Sequence, residues 1–180
     1  MRDFTPIPLL ILLLIFEKPT VATVTVGCCL VFFGELIRLY SVSFIGGVSR
    51  TRSGSLGGQL VVDGPFRWVR NPLYVGNFFI ALGIAVFAGV LWLIALSLIL
   101  FVFQYASIVK YEESLLLEKF GSEYEAYKTR VPAWLPKRFP SLKDLDWPES
   151  FAPALRSEKR TLTAIAIVLF LLVLLTPSRH

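Results

Sequence analysis

The chain has 180 residues, of which 55% are hydrophobic, and it carries a formal net charge of +5. Its mean hydropathy of +0.67 is far above that of soluble domains, so the composition indicates an integral membrane protein. The basic residues flank apolar segments, as the positive-inside rule describes, so we expect no nucleic-acid partner.

Two apolar runs occupy the N-terminal part of the chain. Residues 4–16 form a short one, whose helix would reach about 20 Å against a hydrocarbon core of about 30 Å. Residues 19–40 follow the interruption at Glu17-Lys18 and are long enough to cross the membrane. We expect a hairpin of two helices, with one merged, tilted helix as the alternative. Arg2 resembles the start of a signal peptide, but no small-residue cleavage site follows, so we expect no cleavage.

The second run contains two adjacent thiols and a pair of opposite charges. Cys28 and Cys29 lie among apolar residues and the single histidine is His180, so we expect no metal site and no disulfide, with both thiols packed as apolar groups. Glu35 and Arg38 are three residues apart and share a helical face. We favour an ion pair at the membrane interface, and a substrate contact is the alternative.

Residues 41–71 are polar and basic. One acidic residue stands against four arginines, which indicates the cytoplasmic side: Asp63 against Arg50, Arg52, Arg67 and Arg70. Glycines at 46, 47, 54, 57 and 58 are compatible with a flexible loop that closes over a ligand and equally with a plain linker. The segment lacks the strand, lysine and helix context of a P-loop or Rossmann site.

A helix is predicted to begin at the end of this segment. Pro72 disfavours helix at Asn71 and suits a first helical turn, which makes Asn71 an N-cap. The free N–H groups and positive dipole end of this helix would attract a polar or anionic ligand. Charged and aromatic side chains surround that end: Phe66, Arg67, Trp68, Arg70 and Tyr74. A membrane-interface anchor would have the same composition and is the alternative.

The next apolar stretch predicts two spans, residues 72–87 and 90–110, joined at Ala88-Gly89. An even number of spans returns the chain to the cytoplasm, where residues 111–160 form a charged segment. Its apolar and acidic stripe predicts an amphipathic helix, with Gly121 marking a kink or a close approach: Glu113, Leu116, Phe120, Tyr124 and Tyr127. Five prolines between 132 and 153 then predict an irregular arm, and residues 161–176 predict a last span.

Two motifs carry a family resemblance. Residues 64–76, GPFRWVRNPLYVG, resemble G-P-Y-R-x-x-R-H-P-x-Y-x-G, and residues 112–132 are similar to E-E-x-x-L-x-x-x-F-G-x-x-Y-x-x-Y-x-x-R-V-P. Both patterns belong to the isoprenylcysteine carboxyl methyltransferase family, which includes bacterial phospholipid methyltransferase relatives. The resemblance covers roughly residues 34–136. It implies a single all-α integral membrane domain over residues 1–180, with about five transmembrane helices. A cytoplasmic cofactor pocket would be built by the loop before the third span and the helical segment after the fourth.

The resemblance also implies S-adenosylmethionine as the methyl donor and a lipophilic or lipid-modified acceptor from the membrane. Residues at positions that match the family's cofactor site are Leu60, Val61, Phe66, Pro72, Tyr74 and Glu112, together with the helix start at Asn71. Glu113 and Arg70 are the candidate catalytic residues. Adjacent Glu112 and Glu113 point about 100° apart on a helix, so they do not form a facing acid–base pair. A carboxylate acceptor needs no base, whereas an amine acceptor would need one, for which Glu113 or water is a candidate.

Two positions depart from the family pattern. The histidine before proline is Asn71 here, and an arginine implicated in substrate binding is replaced by Ile108. A phospholipid amine or another isoprenoid is therefore an alternative acceptor. A sterol-reductase-like enzyme that uses NADPH and a non-catalytic lipid-binding protein are alternative functions. We expect the plasma membrane of a prokaryote, with the active site facing the cytoplasm.

Overall fold

The computed structural model describes residues 6–45, 55–56 and 59–175, and most of these residues are helical. The glycines at 46, 47, 54, 57 and 58, predicted to form a loop, lie outside the described residues. The elements in chain order are α1 (Pro6–Phe16), α2 (Val21–Phe44), β1 (Ser55–Leu56), β2 (Gln59–Leu60), a 3-10 turn (Gly64–Arg67), α3 (Pro72–Phe87), α4 (Leu91–Phe120), α5 (Ser122–Arg130), a second 3-10 turn (Leu142–Asp144) and α6 (Ala152–Leu175). The two short strands pair antiparallel, with Ser55 opposite Leu60.

Helices α2 and α3 pack backbone against backbone through four glycines. A Cβ atom on Gly27 would lie 2.7 Å from the carbonyl oxygen of Gly83, and one on Gly34 would lie 2.6 Å from that of Gly76. The glycines of each helix are seven residues apart and pair in opposite order, so the two helices run antiparallel. Small residues permit such close approach, which replaces the hydrophobic driving force that lipid does not supply between helices.

The predicted separation of the N-terminal apolar runs into two helices, rather than one merged helix, is confirmed, and Thr20 caps α2. The Thr20 hydroxyl accepts from the Thr23 N–H at 3.2 Å and the Thr23 hydroxyl accepts from the Thr20 N–H at 2.8 Å. The turn between α3 and α4 holds Gly89 at φ +72°, and the Ala88 carbonyl oxygen accepts from the Lys18 N–H at 2.8 Å. This end of the molecule has its own buried core of Leu13, Ala85, Ala88 and Leu93.

Helices α4 and α6 extend beyond their predicted spans, and the structure decides between the two alternatives predicted for Gly121. Helix α4 does not end near residue 110 but continues for 30 residues to Phe120, about 45 Å at 1.5 Å per residue, because no helix breaker precedes Gly121. At Gly121, φ is +50° and a Cβ atom would contact nothing within 4 Å. Of the two predicted alternatives, the structure therefore shows the kink and not the close approach. Helix α6 begins at Ala152, nine residues before the predicted span, since Pro153 fits a first helical turn.

Within the described residues, α2 and α4 are long and apolar enough to cross a membrane, while α3 is apolar but shorter. The all-α fold agrees with the prediction, and the number of five spans stays a prediction. The packed environment predicted for Cys28 and Cys29 is wrong, because both side chains are exposed on the outer surface of α2. Gly27 and not its neighbours faces the helix partner, so the thiols point away from α3.

The glycine contact can be tested with one pair of neighbouring substitutions. Gly27→Val should lower the free energy of unfolding by about 2–3 kcal/mol, because the added side chain forces the helices apart. Cys28→Val adds an apolar group to the exposed surface next to it and serves as the matched control. Unfolding in mixed detergent micelles measures both. Equal stability of the two variants would contradict the close packing of α2 on α3.

Candidate functional site

The start of α3 positions the first motif. Pro72 is the first helical residue, as predicted, and Asn71 occupies the N-cap position. However, the Asn71 side chain makes no capping hydrogen bond, so the predicted capping role is wrong. Its amide donates instead to the carbonyl oxygen of Ala133 at 3.2 Å. The amide thus ties the helix start to the segment after α5.

Arg70 joins three parts of the chain. Its Nε and Nη2 atoms donate to Oε1 of Glu113 at 3.0 and 2.9 Å, and its Nη1 donates to the carbonyl oxygens of Lys128 and Val131 at 3.0 and 2.6 Å. Its backbone N–H donates to the carbonyl oxygen of Pro132 at 2.9 Å. Both charged side chains of the ion pair are largely buried, at 10% and 13% exposure. Arg70 therefore connects the loop before α3 with α4 and with the end of α5.

Arg67 contacts the arm after α5 and not Glu113. Its guanidinium is 54% exposed and lies 3.1 Å from Oδ2 of Asp146. The same carboxylate oxygen accepts from the Gly64 N–H at 3.3 Å, and the Asp146 carbonyl oxygen accepts from the Tyr40 hydroxyl at 2.7 Å. Arg67 thus fastens the arm after α5 to the outside of the 3-10 turn rather than contributing to a pocket.

Helix α5 carries two buried tyrosines, Tyr124 and Tyr127, at 1% and 4% exposure. The Tyr127 hydroxyl donates to the carbonyl oxygen of Phe66 at 2.7 Å, which fixes the 3-10 turn against α5. Burial, with the nearby Glu113 carboxylate, raises the pKa of Tyr124 to about 12. Burial also raises the pKa of Tyr127. Both hydroxyls are therefore neutral donors at physiological pH.

These contacts enclose a cleft on the charged side of the molecule. Its walls come from β2 and the following loop, the start of α3, the extension of α4, and α5: Leu60, Val61, Phe66, Arg70, Asn71, Glu112, Leu116, Tyr124 and Tyr127. The enclosed volume of about 20 Å³ has room for about one water molecule, so a ligand the size of a nucleoside would enter only after the walls separate.

The structure brings together six of the nine predicted site residues in this cleft: Leu60, Val61, Phe66, Arg70, Asn71 and Glu112. The other three lie beside it. Pro72 is buried in the first turn of α3, Glu113 is paired with Arg70 at its edge, and the Tyr74 ring packs edge-on against Tyr105 with centroids 5.0 Å apart. Their roles toward a ligand stay predictions.

Sequence reasoning missed three lining residues. Leu116, Tyr124 and Tyr127 belong to the stripe predicted for an amphipathic helix, but they are not among the predicted site residues. The signal was present in the spacing of three and four residues. The spacing does not give the direction of the bend at Gly121, which turns the two tyrosines toward Phe66.

A second cavity lies deeper along the same helices. This apolar groove of about 370 Å³ runs between α3 and α4 and is bordered by the segment after α5; its lining includes Val75, Phe78, Phe101, Tyr105, Ala106 and Leu135. Val102 and Leu135 border the groove and are 63% and 77% exposed, so it opens on the outer surface. Asn71 in the cleft and Val75 in the groove are one helical turn apart, about 6 Å along α3.

Comparison with known proteins identifies the family. A profile of phospholipid methyltransferases matches residues 22–123, which is more than half of the chain. The chain belongs to the phospholipid methyltransferase family. The family predicted from the two motifs is therefore confirmed. The matched region contains α2, α3, α4 and the first motif, while most of α5 and all of α6 lie beyond it. No solved structure matches the chain.

The curated relatives of this family member carry two kinds of name. A nickel-cobalt-cadmium resistance protein of Alcaligenes xylosoxydans xylosoxydans is 31% identical over 116 residues, 64% of this chain and 51% of the relative. The protein-S-isoprenylcysteine O-methyltransferase of Saccharomyces cerevisiae is 31% identical over 129 residues, 67% of this chain and 52% of the relative. The human protein of the same name is 32% identical over 116 residues, 61% and 40% of the two chains. The chain thus spans about half the length of these relatives or less.

Arg70→Met tests the connecting role of Arg70. It should destabilise α5 by about 3 kcal/mol, because Glu113 is left partly buried without its main partner. Hydrogen exchange of the α5 amides should therefore accelerate, while the exchange of α2 and α3 stays unchanged. Arg67→Met removes an exposed arginine from the same turn and is the control. Slow exchange in α5 of the Arg70 variant would show that the guanidinium is not needed to hold α5 in place.

The buried tyrosines predict a loss of stability at alkaline pH. A tyrosine whose pKa is higher in the folded than in the unfolded state contributes stability that is complete below about pH 10. This stability is lost as the pH rises toward the pKa of the folded state. The thermal midpoint should therefore fall between about pH 10 and about pH 12, and less steeply in Tyr127→Phe. Tyr111→Phe, whose side chain is 63% exposed, should follow the wild type. Identical slopes in all three proteins would exclude this linkage.

Proposed function

We propose that the protein transfers a methyl group from S-adenosylmethionine to a lipophilic acceptor at the membrane interface, in the manner of an isoprenylcysteine carboxyl O-methyltransferase. The observation that carries this proposal is the adjacency of two unlike cavities. The cleft combines charged and polar side chains with apolar ones, whereas the groove is lined almost entirely by hydrocarbon. On α3 they are one turn apart, and on α4 Ala106 and Glu112 are separated by about 9 Å. A water-soluble cofactor and a lipid-tailed acceptor would meet between them.

The lining of the cleft fits S-adenosylmethionine in chemistry. When bound, this cofactor supplies an electrophilic methyl group on a cationic sulfur. The half-buried Glu112 carboxylate offers a negative charge for the sulfonium and acceptors for ribose hydroxyls. Leu60, Val61 and Leu116 offer apolar surface for a flat ring. The remaining task of the protein is to orient donor and acceptor in line, since proximity supplies much of the rate of such a displacement.

The contacts of Glu113 favour a carboxylate acceptor. Its Oε1 accepts two hydrogen bonds from Arg70, and its Oε2 lies 3.6 Å from Nζ of Lys128. To accept a proton from an amine, the carboxylate would have to leave these cations. A carboxylate acceptor requires no base. We therefore assign Glu113 and Arg70 a positioning role in O-methyl transfer.

Ile108 supports a different acceptor. It lies on α4 one turn before Glu112, where the family resemblance implies an arginine for a substrate carboxylate. A phospholipid amine needs no such cation, so N-methylation of a phospholipid is the second candidate. The names of the relatives favour methyl transfer over the NADPH-dependent reductase and over a protein without catalysis.

We further propose that the protein crosses the membrane five times, with α1, α2, α3, the first part of α4 and most of α6 as the spans. The arginines before α3 and the charged extension of α4 would then share the cytoplasmic side, as the positive-inside rule requires. The expected location is the plasma membrane of a prokaryote.

Cofactor binding tests the proposal directly. Calorimetry in detergent should show saturable binding of S-adenosylmethionine, and Glu112→Ala should weaken it by about tenfold or more, as expected for the loss of a charge-assisted hydrogen bond. Glu118→Ala removes an exposed carboxylate from the same helix and should leave the affinity unchanged. NADPH is the control ligand.

Binding of NADPH in place of S-adenosylmethionine would favour the reductase. A folded protein that binds neither would overturn the enzymatic proposal. If the cofactor binds, turnover with a prenylcysteine analogue and with phosphatidylethanolamine distinguishes the two acceptors.

A further inference from the structure

A cluster of charges is buried where α2, α3 and α6 meet. Arg38, at 2% exposure, forms an ion pair with Glu158 of α6, which is 4% exposed, and donates to Oδ1 of Asn77 on α3. Its Nε lies 3.6 Å from Oε2 of Glu35. The predicted ion pair of Glu35 and Arg38 is therefore present, with both side chains buried between helices, and its location at the membrane interface stays a prediction.

Buried charges of this kind are expensive, and in membrane helices they usually mark a functional site. Arg38 and Glu158 are 120 residues apart in the chain, and Glu158 lies outside the region that matches the family profile. The methyl-transfer chemistry proposed above uses neither residue. A separate reason for the cluster is therefore required.

The cluster is connected to the groove through Asn77. The Asn77 Nδ2 atom donates to the Tyr105 hydroxyl oxygen at 3.1 Å. Because the guanidinium of Arg38 can only donate, it fixes the carbonyl end of the Asn77 amide toward α2 and the amino end toward Tyr105. The Tyr105 oxygen then accepts, and its own proton points away from Asn77. The charged cluster thus fixes the Tyr105 oxygen as the acceptor of this hydrogen bond.

Tyr105 is part of the groove wall. Its ring stacks on Phe101 with centroids 4.1 Å apart and meets Tyr74 at 5.0 Å. Among the described residues that line the groove, Tyr105 contributes the one side-chain hydroxyl. It also stands toward the end of the groove nearer the cleft, since Glu112 is two turns further along α4.

We propose that Arg38 and Glu158 are positioning residues that orient the Tyr105 hydroxyl through Asn77, and that this hydroxyl recognises the polar end of the lipophilic acceptor. The inference rests on the proposed methyl transfer and adds α6 to the acceptor site. Donation by Tyr105 suits an acceptor with a carboxylate or ester oxygen near its hydrocarbon chain. Loss of the relay should weaken acceptor binding without affecting the cofactor.

The test is a double-mutant cycle with Tyr105→Phe and Glu158→Gln, which change one atom each. The probe is N-acetyl-S-farnesylcysteine, and its affinity is measured by calorimetry in detergent alongside its KM. Tyr105→Phe should raise the dissociation constant of the probe and its KM by about tenfold each, the effect of losing one hydrogen bond to a charged group. The affinity for S-adenosylmethionine should change less than twofold, which is about 0.4 kcal/mol.

The double variant distinguishes a relay from independent packing effects. If Glu158 acts through Tyr105, the double variant should bind the probe no more weakly than Tyr105→Phe alone. Tyr111→Phe, on the exposed side of the same helix, is the matched control and should be silent. Additive losses, or an unchanged affinity in Tyr105→Phe, would overturn the proposal.

The wild-type protein separates this inference from the proposed function. A wild type that binds neither S-adenosylmethionine nor the probe refutes both. A wild type that binds both ligands while the two variants behave like it refutes the relay alone. Glu158→Gln keeps the shape of the side chain, so we expect the variant to fold. A thermal midpoint measured on each variant checks that the compared proteins are folded.

Discussion

The charged side of the molecule, which carries the cleft, depends on one guanidinium group. Arg70 donates to Glu113 and to two carbonyl oxygens at the end of α5, so a single planar side chain holds together segments that are 43 to 61 residues apart. Its fork of fixed donors makes this possible, and a lysine ammonium would not reproduce the geometry. The walls of the cleft have no common secondary-structure element. Their relative positions are therefore set by Arg70 and by the hydrogen bond from Tyr127 to Phe66.

The apolar half obeys a different constraint, because lipid does not drive helices together as water does. Four glycines bring the backbones of α2 and α3 into contact. Because Gly76 has no side chain, the side chain of Arg38 fits beside it. Polar groups between the helices then contribute specific attraction. The same close packing that provides van der Waals attraction also encloses the charges of Arg38 and Glu158. A polar relay to the groove is thus compatible with a stable apolar bundle.

Local signals predicted the parts of the fold that local chemistry decides. Pro72 marks the start of α3 and Gly121 the bend after α4, because each residue restricts or frees its own backbone. The side chain of Asn71 was assigned to the wrong partner, since the competing acceptor, the Ala133 carbonyl, approaches only in the folded state. The pairing of Arg38 with Glu158 could not be predicted for the same reason. Of the site, the sequence supplied most lining residues, while the tertiary fold decided which of them face each other.

The proposed acceptor follows from the contacts of Glu113 and from the absence of a cation at Ile108. Glu113 is occupied by Arg70 and Lys128, which argues against proton removal from an amine. Ile108 removes a cation that a free carboxylate would use. An acceptor satisfies both conditions if its oxygen is recognised by a neutral donor, and the Tyr105 hydroxyl is such a donor at the wall of the groove. Because function resides in the site and not in the fold, relatives with other names can share these helices and differ in that one recognition group.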